Sequence, residues 1–175
     1  MQENENPFQL EVVSIRLVKE APLFSATPMT SPCAAVEAVG NELREMDREV
    51  IWVINMTTKG VPINGSIVSM GILNAACFTP REMLKSSILS NADGIIMLHN
   101  HPSGDLSPSN EDVEVTKRLK LACECIGIRL LDHIIVGANN SEYYSFLEHG
   151  LLHEQKQMEF ICEEAKHSKE VGRCR

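Results

Sequence analysis

The chain has 175 residues, 43% of them apolar, and carries 16 Lys and Arg against 24 Asp and Glu for a formal net charge of −8. That length supports one domain with a core of its own, needing neither disulfides nor metal as a staple. The acidic balance, with no Lys/Arg cluster, disfavours attraction to a phosphate backbone, so direct DNA binding is not expected.

The cysteines, Cys33, Cys77, Cys123, Cys125, Cys162 and Cys174, form no CxxC pair and no regular framework, and the polar N-terminus has no secretory apolar region. A reducing cytoplasm is the expected location. No apolar run approaches the ~20 residues of a membrane-spanning helix, so no membrane association is expected.

Residues Phe8 to Val18 alternate between apolar and polar, which predicts a strand with a bulge at Val12-Val13. As an exposed edge it could pair with a second copy, although nothing in the sequence fixes the oligomeric state. A loop with Pro22 and Pro28 follows, and then Ser31 as N-cap and Pro32 at the first helical position open a helix with the stripe Val36, Val39, Leu43 and Met46. Glu49 to Met56 (EVIWVINM) is strongly β-forming, Thr57 to Gly60 is a turn, and Val61 to Ile72 resumes extended character with Gly65 and Gly71 as kinks. Thr79-Pro80-Arg81-Glu82 opens a second helix whose expected apolar face is Met83, Leu84, Ile88 and Leu89.

Gly94 to Leu98 is an apolar run suited to a buried strand, and it leads into the stretch around which the chain is organised, LHNHPSGDLSPSNED from Leu98 to Asp112. On a strand, alternate side chains share a face, so His99 and His101 point the same way. Pro102 ends the strand, Ser103-Gly104-Asp105 and Ser107-Pro108 turn the chain back, and Ser109 caps a helix carrying Asp112 in its first turn and Val113, Leu119, Cys123 and Ile126 along its stripe. Gly127 stops that helix, Ile128 to Val136 is another strand carrying Asp132 and His133, and Tyr143 to His149 is expected as a short helix. Residues 151–175 read as an appended helix or tail, leaving 1–31 as an N-terminal strand and linker and 32–150 as the domain.

Two imidazoles and one carboxylate therefore converge. His99, His101 and Asp112, with a fourth tetrahedral position left for water, match the open pattern of a catalytic rather than a structural Zn²⁺ site. Zinc is the expected cofactor, although these ligand types also admit iron or manganese. Cys123 and Cys125, two apart on a helix, face different directions and read as small packing residues.

The segment resembles the JAMM (MPN+) metalloprotease pattern HxHPx6SxxD at each fixed position, His99, His101, Pro102, Ser109 and Asp112. HNHPSGDxxPS, with PRE at Pro80 to Glu82 and LDHIIVG at Leu131 to Gly137, narrows the likeness to the RadC-like branch, over roughly Pro32 to Gly150. The resemblance implies an α/β (α+β) fold with a mixed sheet sandwiched between helices. It implies zinc ligation by His99, His101 and Asp112, a hydrogen-bonding role for Ser109 at the reacting centre, and an upstream Glu as general base. RadC-like proteins commonly carry a helix-hairpin-helix region before this domain, and the preceding residues show no such glycine-hairpin pattern.

Three glutamates compete for the base. Glu82 fits a capping box with Thr79, which already explains it. Glu45 lies off the apolar stripe of its helix and reads as a solvated charge. Glu49, at the start of a buried strand and where the family places its base, is the expected catalytic residue. The reading is a zinc metallopeptidase or isopeptidase acting on a protein or peptide. A zinc-binding module without catalysis, accessory to DNA repair or a mobile element, is the alternative, and a metal-dependent nuclease is disfavoured by the acidic charge. Asp132 and His133 are left with two readings, a satisfied core pair or support for the metal site.

Overall fold

A computed structural model of the chain describes residues 14–18, 29–71 and 79–152. Helix α1 (Pro32–Arg44) starts where Ser31 accepts the Ala34 amide proton at 3.3 Å and Pro32 supplies a preset φ, and it buries Val36, Val39 and Leu43. Strand β1 (Val50–Met56) is buried along its whole length, as a central strand covered on both faces should be. It pairs antiparallel with the largely exposed edge strand β2 (Pro62–Met70) on one side and with β3 (Gly94–His101) on the other. Helix α2 (Pro80–Leu89) precedes β3, and α3 (Asn110–Ile126) follows it.

Strand β4 (Arg129–Gly137) lies parallel to β3, reached by the α3 crossover that a parallel pair requires, and β5 (Tyr143–Ser145) closes the other edge antiparallel to β4. The sheet order is β2-β1-β3-β4-β5. One face, with Trp52, Ile54, Leu98 and Ile134, packs under α1; the opposite face, with Ile51, Val53, Ile95 and Met97, packs under α2 and α3. This is the expected mixed sheet between helices. No helix among the described residues is long and apolar enough to cross a membrane.

Several local expectations are corrected. Residues 14–18 form no strand, and Ile15, Leu17 and Val18 are exposed; alternation there finds no partner among the described residues, whose sheet has β2 and β5 at its edges. Residues 8–13 lie outside the described residues, as do 153–175 of the expected tail.

The expected helix over Tyr143 to His149 is β5 followed by turns. Its β-forming tyrosines find the open edge of β4, and the buried carboxylate of Asp132 fixes the turn by accepting the Ser145 hydroxyl at 2.6 Å and the Leu147 amide at 2.9 Å. On α2 the buried face is Met83, Leu84 and Ser87, with Ile88 and Leu89 exposed, and Thr79 makes no side-chain cap. On α3 the buried row is Asp112, Val115, Thr116, Leu119 and Cys123, with Ile126 exposed. Met83, Leu84, Leu119 and Cys123 keep their expected places, and the rows differ where a polar side chain, Ser87 or Thr116, takes a core-facing position.

Candidate metal centre

His99 and His101 extend the row of Ile95 and Met97 that faces α2 and α3, so the apolar row ends in two imidazoles where α3 begins. Their Nε2 atoms are 3.0 Å apart. Asp112, in the first turn of α3, brings its Oδ1 to 3.1 Å from His99 Nε2 and its Oδ2 to 3.4 Å from His101 Nε2. His99 and Asp112 are each 1% exposed, while His101, at 13%, opens the centre to solvent. All three sequence-derived ligands are thus brought together, and one ligand atom from each lies within 4.8 Å of the others.

The strand-to-helix connection is built to hold this geometry. Ser109 caps α3 in a reciprocal box: its Oγ accepts the Asp112 amide at 3.1 Å, while Asp112 Oδ2 accepts the Ser109 amide at 2.8 Å and its hydroxyl at 2.7 Å. The loop before it folds against the end of β4, where the His101 carbonyl accepts from Gly104 at 3.0 Å and from Ala138 at 3.1 Å. Both glycines at this contact are forced, since a Cβ on Gly137 would sit 2.6 Å from the Gly104 oxygen, and Gly104 itself has φ +81°. The packed loop presents the Asp105 carbonyl 2.7 Å from His101 Nδ1. A carbonyl only accepts, so His101 carries a proton on Nδ1, and in its neutral form it turns a bare Nε2 lone pair inward.

The electrostatics favour a cation between these groups. Burial opposes ionisation of Asp112, yet the imidazoles of His101 and His99 and the Ser109 hydroxyl outweigh it and hold the carboxyl far below the usual carboxylate range. His101 is made more basic, chiefly by Asp112, against desolvation and with help from the Asp105 carbonyl and the charges of Asp112 and Glu49. Asp112 Oδ1 is buried with no hydrogen-bond donor among the described residues. A buried carboxylate oxygen without a donor, beside an inward imidazole lone pair, suits a metal ion that accepts electron pairs from all of them.

Glu49, half-buried, directly precedes β1. The β1–β3 register pairs Ile51 with His99, and continuing it by two residues on each strand sets Glu49 opposite His101. Asn100 holds this junction: it is fully buried, accepts the Val50 amide at 2.7 Å and donates to the Arg48 carbonyl at 3.0 Å, straddling Glu49.

The other glutamates are elsewhere. Glu82 is exposed and pairs with Lys85 on α2, so its capping-box reading is replaced by a surface ion pair; Glu45 is the exposed C-cap of α1. Burial pushes the Cys123 thiol up to about 12, in keeping with packing rather than ligation, while Cys125 is exposed.

Three partners of the centre escaped the sequence reading, Asn100, Asp105 through its carbonyl, and Thr116, while His133, for which support of the site was one of two readings, lies against it. His133 Nε2 is 2.7 Å from His99 Nδ1, and His133 Nδ1 is 2.6 Å from the Thr116 hydroxyl. Complete burial, with the neighbouring His99, holds His133 neutral well below its ordinary range. The available signal was composition: Asn in a buried strand and Thr on a core-facing helix position both demand partners.

A family model for a RadC-like JAB domain matches residues 29–151, a span that contains every residue of the centre. The chain belongs to the RadC-like JAB family. Among its relatives, a UPF0758 protein of Clostridium acetobutylicum is 46% identical over 129 residues, 74% of this chain and 56% of the relative. A UPF0758 protein of Desulfitobacterium hafniense is 42% identical over 137 residues, covering 78% of this chain and 59% of its own. One from Chlorobium chlorochromatii is 41% identical over 116 residues, 66% of this chain and 51% of its own. The chain therefore spans a little over half the length of these relatives. The match covers the RadC-like JAB domain, α1 through β5, with the His-His-Asp centre at its middle.

Proposed function

We propose that the protein is a zinc-dependent hydrolase of amide bonds, a metallopeptidase or isopeptidase whose substrate is a protein or peptide. The observation that carries this reading is the convergence of three possible ligand atoms at a point that opens to solvent at His101, with the Glu49 carboxylate just before β1, where the β1–β3 register continued by two residues meets that histidine. A site closed by four protein ligands would serve structure; three ligands and an open side serve chemistry.

His99, His101 and Asp112 hold the metal, which when bound supplies Lewis acidity toward the scissile carbonyl and the attacking water. Glu49 takes a proton from that water as its oxygen attacks the carbonyl carbon, and hands the proton to the amine as the C–N bond breaks. Ser109, exposed at the N-terminus of α3, redirects its hydroxyl proton from Asp112 to the oxyanion that develops on the carbonyl. Products are a carboxylate and an amine, with one water consumed.

The test is metal content by elemental analysis of protein purified without chelator or affinity metal, wild type beside His101→Ala, followed by mass-spectrometric detection of new amino termini in a peptide library. About one zinc per chain, lost in the variant, with cleavage that a chelator abolishes, is the expected result. Zinc neither bound nor taken up on addition would overturn the reading.

A further inference from the structure

The short contacts behind His99 form a directed chain. The Asp112 main-chain oxygen and the Thr116 hydroxyl oxygen are 2.6 Å apart, and since a carbonyl has no proton to give, the single hydroxyl proton of Thr116 lies on that contact. The Thr116 oxygen is then left only to accept, so the 2.6 Å contact from His133 Nδ1 is an N–H donation. His133 is wholly buried and its two ring nitrogens face the Thr116 hydroxyl and His99, with no carboxylate on either, so the uncharged ring with its proton on Nδ1 has a bare Nε2, and across 2.7 Å that nitrogen receives the Nδ1 proton of His99. His99 is thereby left with no proton on Nε2, the atom 3.0 Å from His101 Nε2 and 3.1 Å from Asp112 Oδ1.

We propose that His133, anchored by Thr116, is a positioning residue that locks the Nδ1–H tautomer of His99 and so keeps its Nε2 lone pair turned into the metal centre before any metal arrives. The inference rests on the reading of His99, His101 and Asp112 as metal ligands. It goes beyond it in assigning how the protein prevents the competing tautomer, in which His99 would spend its Nε2 proton on Asp112 Oδ1 and block both groups at once. The chain begins and ends on ligands: it leaves the backbone of Asp112 on α3, crosses β4 at His133 and reaches His99 on β3. Stacking on Phe146, with ring centroids 4.4 Å apart, fixes the plane of His133, and its ring is fully buried. His101 receives the same treatment from a backbone carbonyl, so both imidazoles reach the metal already in the ligating tautomer.

The test has two readouts. In the metal-free wild type at neutral pH, two-bond ¹H–¹⁵N correlation of the imidazoles reports the tautomer of each histidine. His99 is expected with a protonated Nδ1 and a bare Nε2, and a protonated Nε2 would overturn the proposal. Zinc affinity is then measured by competition with a chromophoric chelator for wild type, His133→Gln, which can still offer an acceptor to His99, and His133→Leu, which cannot. His133→Leu is expected to bind zinc about 10–100-fold more weakly, the usual effect of removing a partner that orients a ligand, with His133→Gln recovering much of the loss. Equal affinity of all three would overturn the proposal. The wild-type tautomer needs no variant to fold and no metal to bind. A wild type that takes up no zinc defeats the ligand reading, while the tautomer measurement still decides for or against the lock.

Discussion

Asn100 accepts the backbone proton of Val50 at 2.7 Å from within a strand whose neighbours on both sides are histidines. With its second bond to the Arg48 carbonyl, the side-chain amide substitutes for the ladder where β1 and β3 begin to part, and keeps the backbone on both sides of Glu49 in register with His101. Asn100→Ala would leave the buried Val50 amide without an acceptor. The expected cost is about 1–3 kcal/mol in urea unfolding. Because the hydrogen bonds of the Asn100 side chain go to the Val50 and Arg48 backbone and not to the His-His-Asp cluster, metal content should persist while hydrolysis falls; loss of metal in a folded variant would show that Asn100 serves the cluster instead.

Glu49→Gln keeps the shape of the side chain and removes its ability to take a proton. Fold and zinc content are expected to match wild type, with turnover reduced by about 10²–10⁴-fold, the usual contribution of a general base. Unchanged hydrolysis would remove Glu49 from the mechanism.

Gly137 tests the loop that presents Asp105. A methyl at this position would lie 2.6 Å from the Gly104 carbonyl oxygen, a backbone atom that moves only with its loop. Gly137→Ala is therefore expected to cost about 1–3 kcal/mol, as overpacking does. It should also weaken zinc binding, because the displaced loop carries the acceptor that sets His101 Nδ1–H. A stability loss with full zinc affinity would separate the loop from the site.

The metal-free and zinc-loaded proteins should differ in pH dependence. The raised pKa of His101 contributes stability that is fully present below its ordinary value of 6.5 and is lost as pH rises through the folded value. The lowered pKa of Asp112 contributes stability present above 3.8 and lost as pH falls below it. For the metal-free protein this pair is thus most stabilising between those two values. Zinc requires the neutral imidazole, so its stabilisation grows with pH. Thermal unfolding at pH 5.5 and 8 should show a larger zinc-induced rise in Tm at pH 8, and His101→Gln should remove most of that difference.

The sequence by itself determined which side chains make up the His-His-Asp cluster and which elements carry them. His99 and His101 alternate on one strand, Pro102 and Gly104 turn the chain, and Ser109 and Asp112 open the next helix, all within fourteen residues and set by local rules of strand parity, turn chemistry and capping. The helix-sheet-helix order was legible for the same reason, since periodicity is a local property. Local alternation misled at residues 14–18, which pair with no strand among the described residues, and the helix expected over Tyr143 to His149 gave way at Tyr143 to Ser145, where the waiting edge of β4 drew β-forming residues into a strand. Only the tertiary structure decided what the ring nitrogens of His99 and His101 face. Asn100 reaches across fifty residues to Val50, and Thr116 and His133 meet behind His99 from a helix and a strand that local patterning describes separately. A tautomer depends on the acceptor that a ring nitrogen faces, and that acceptor exists only once the parallel pairing of β3 with β4 has brought it there.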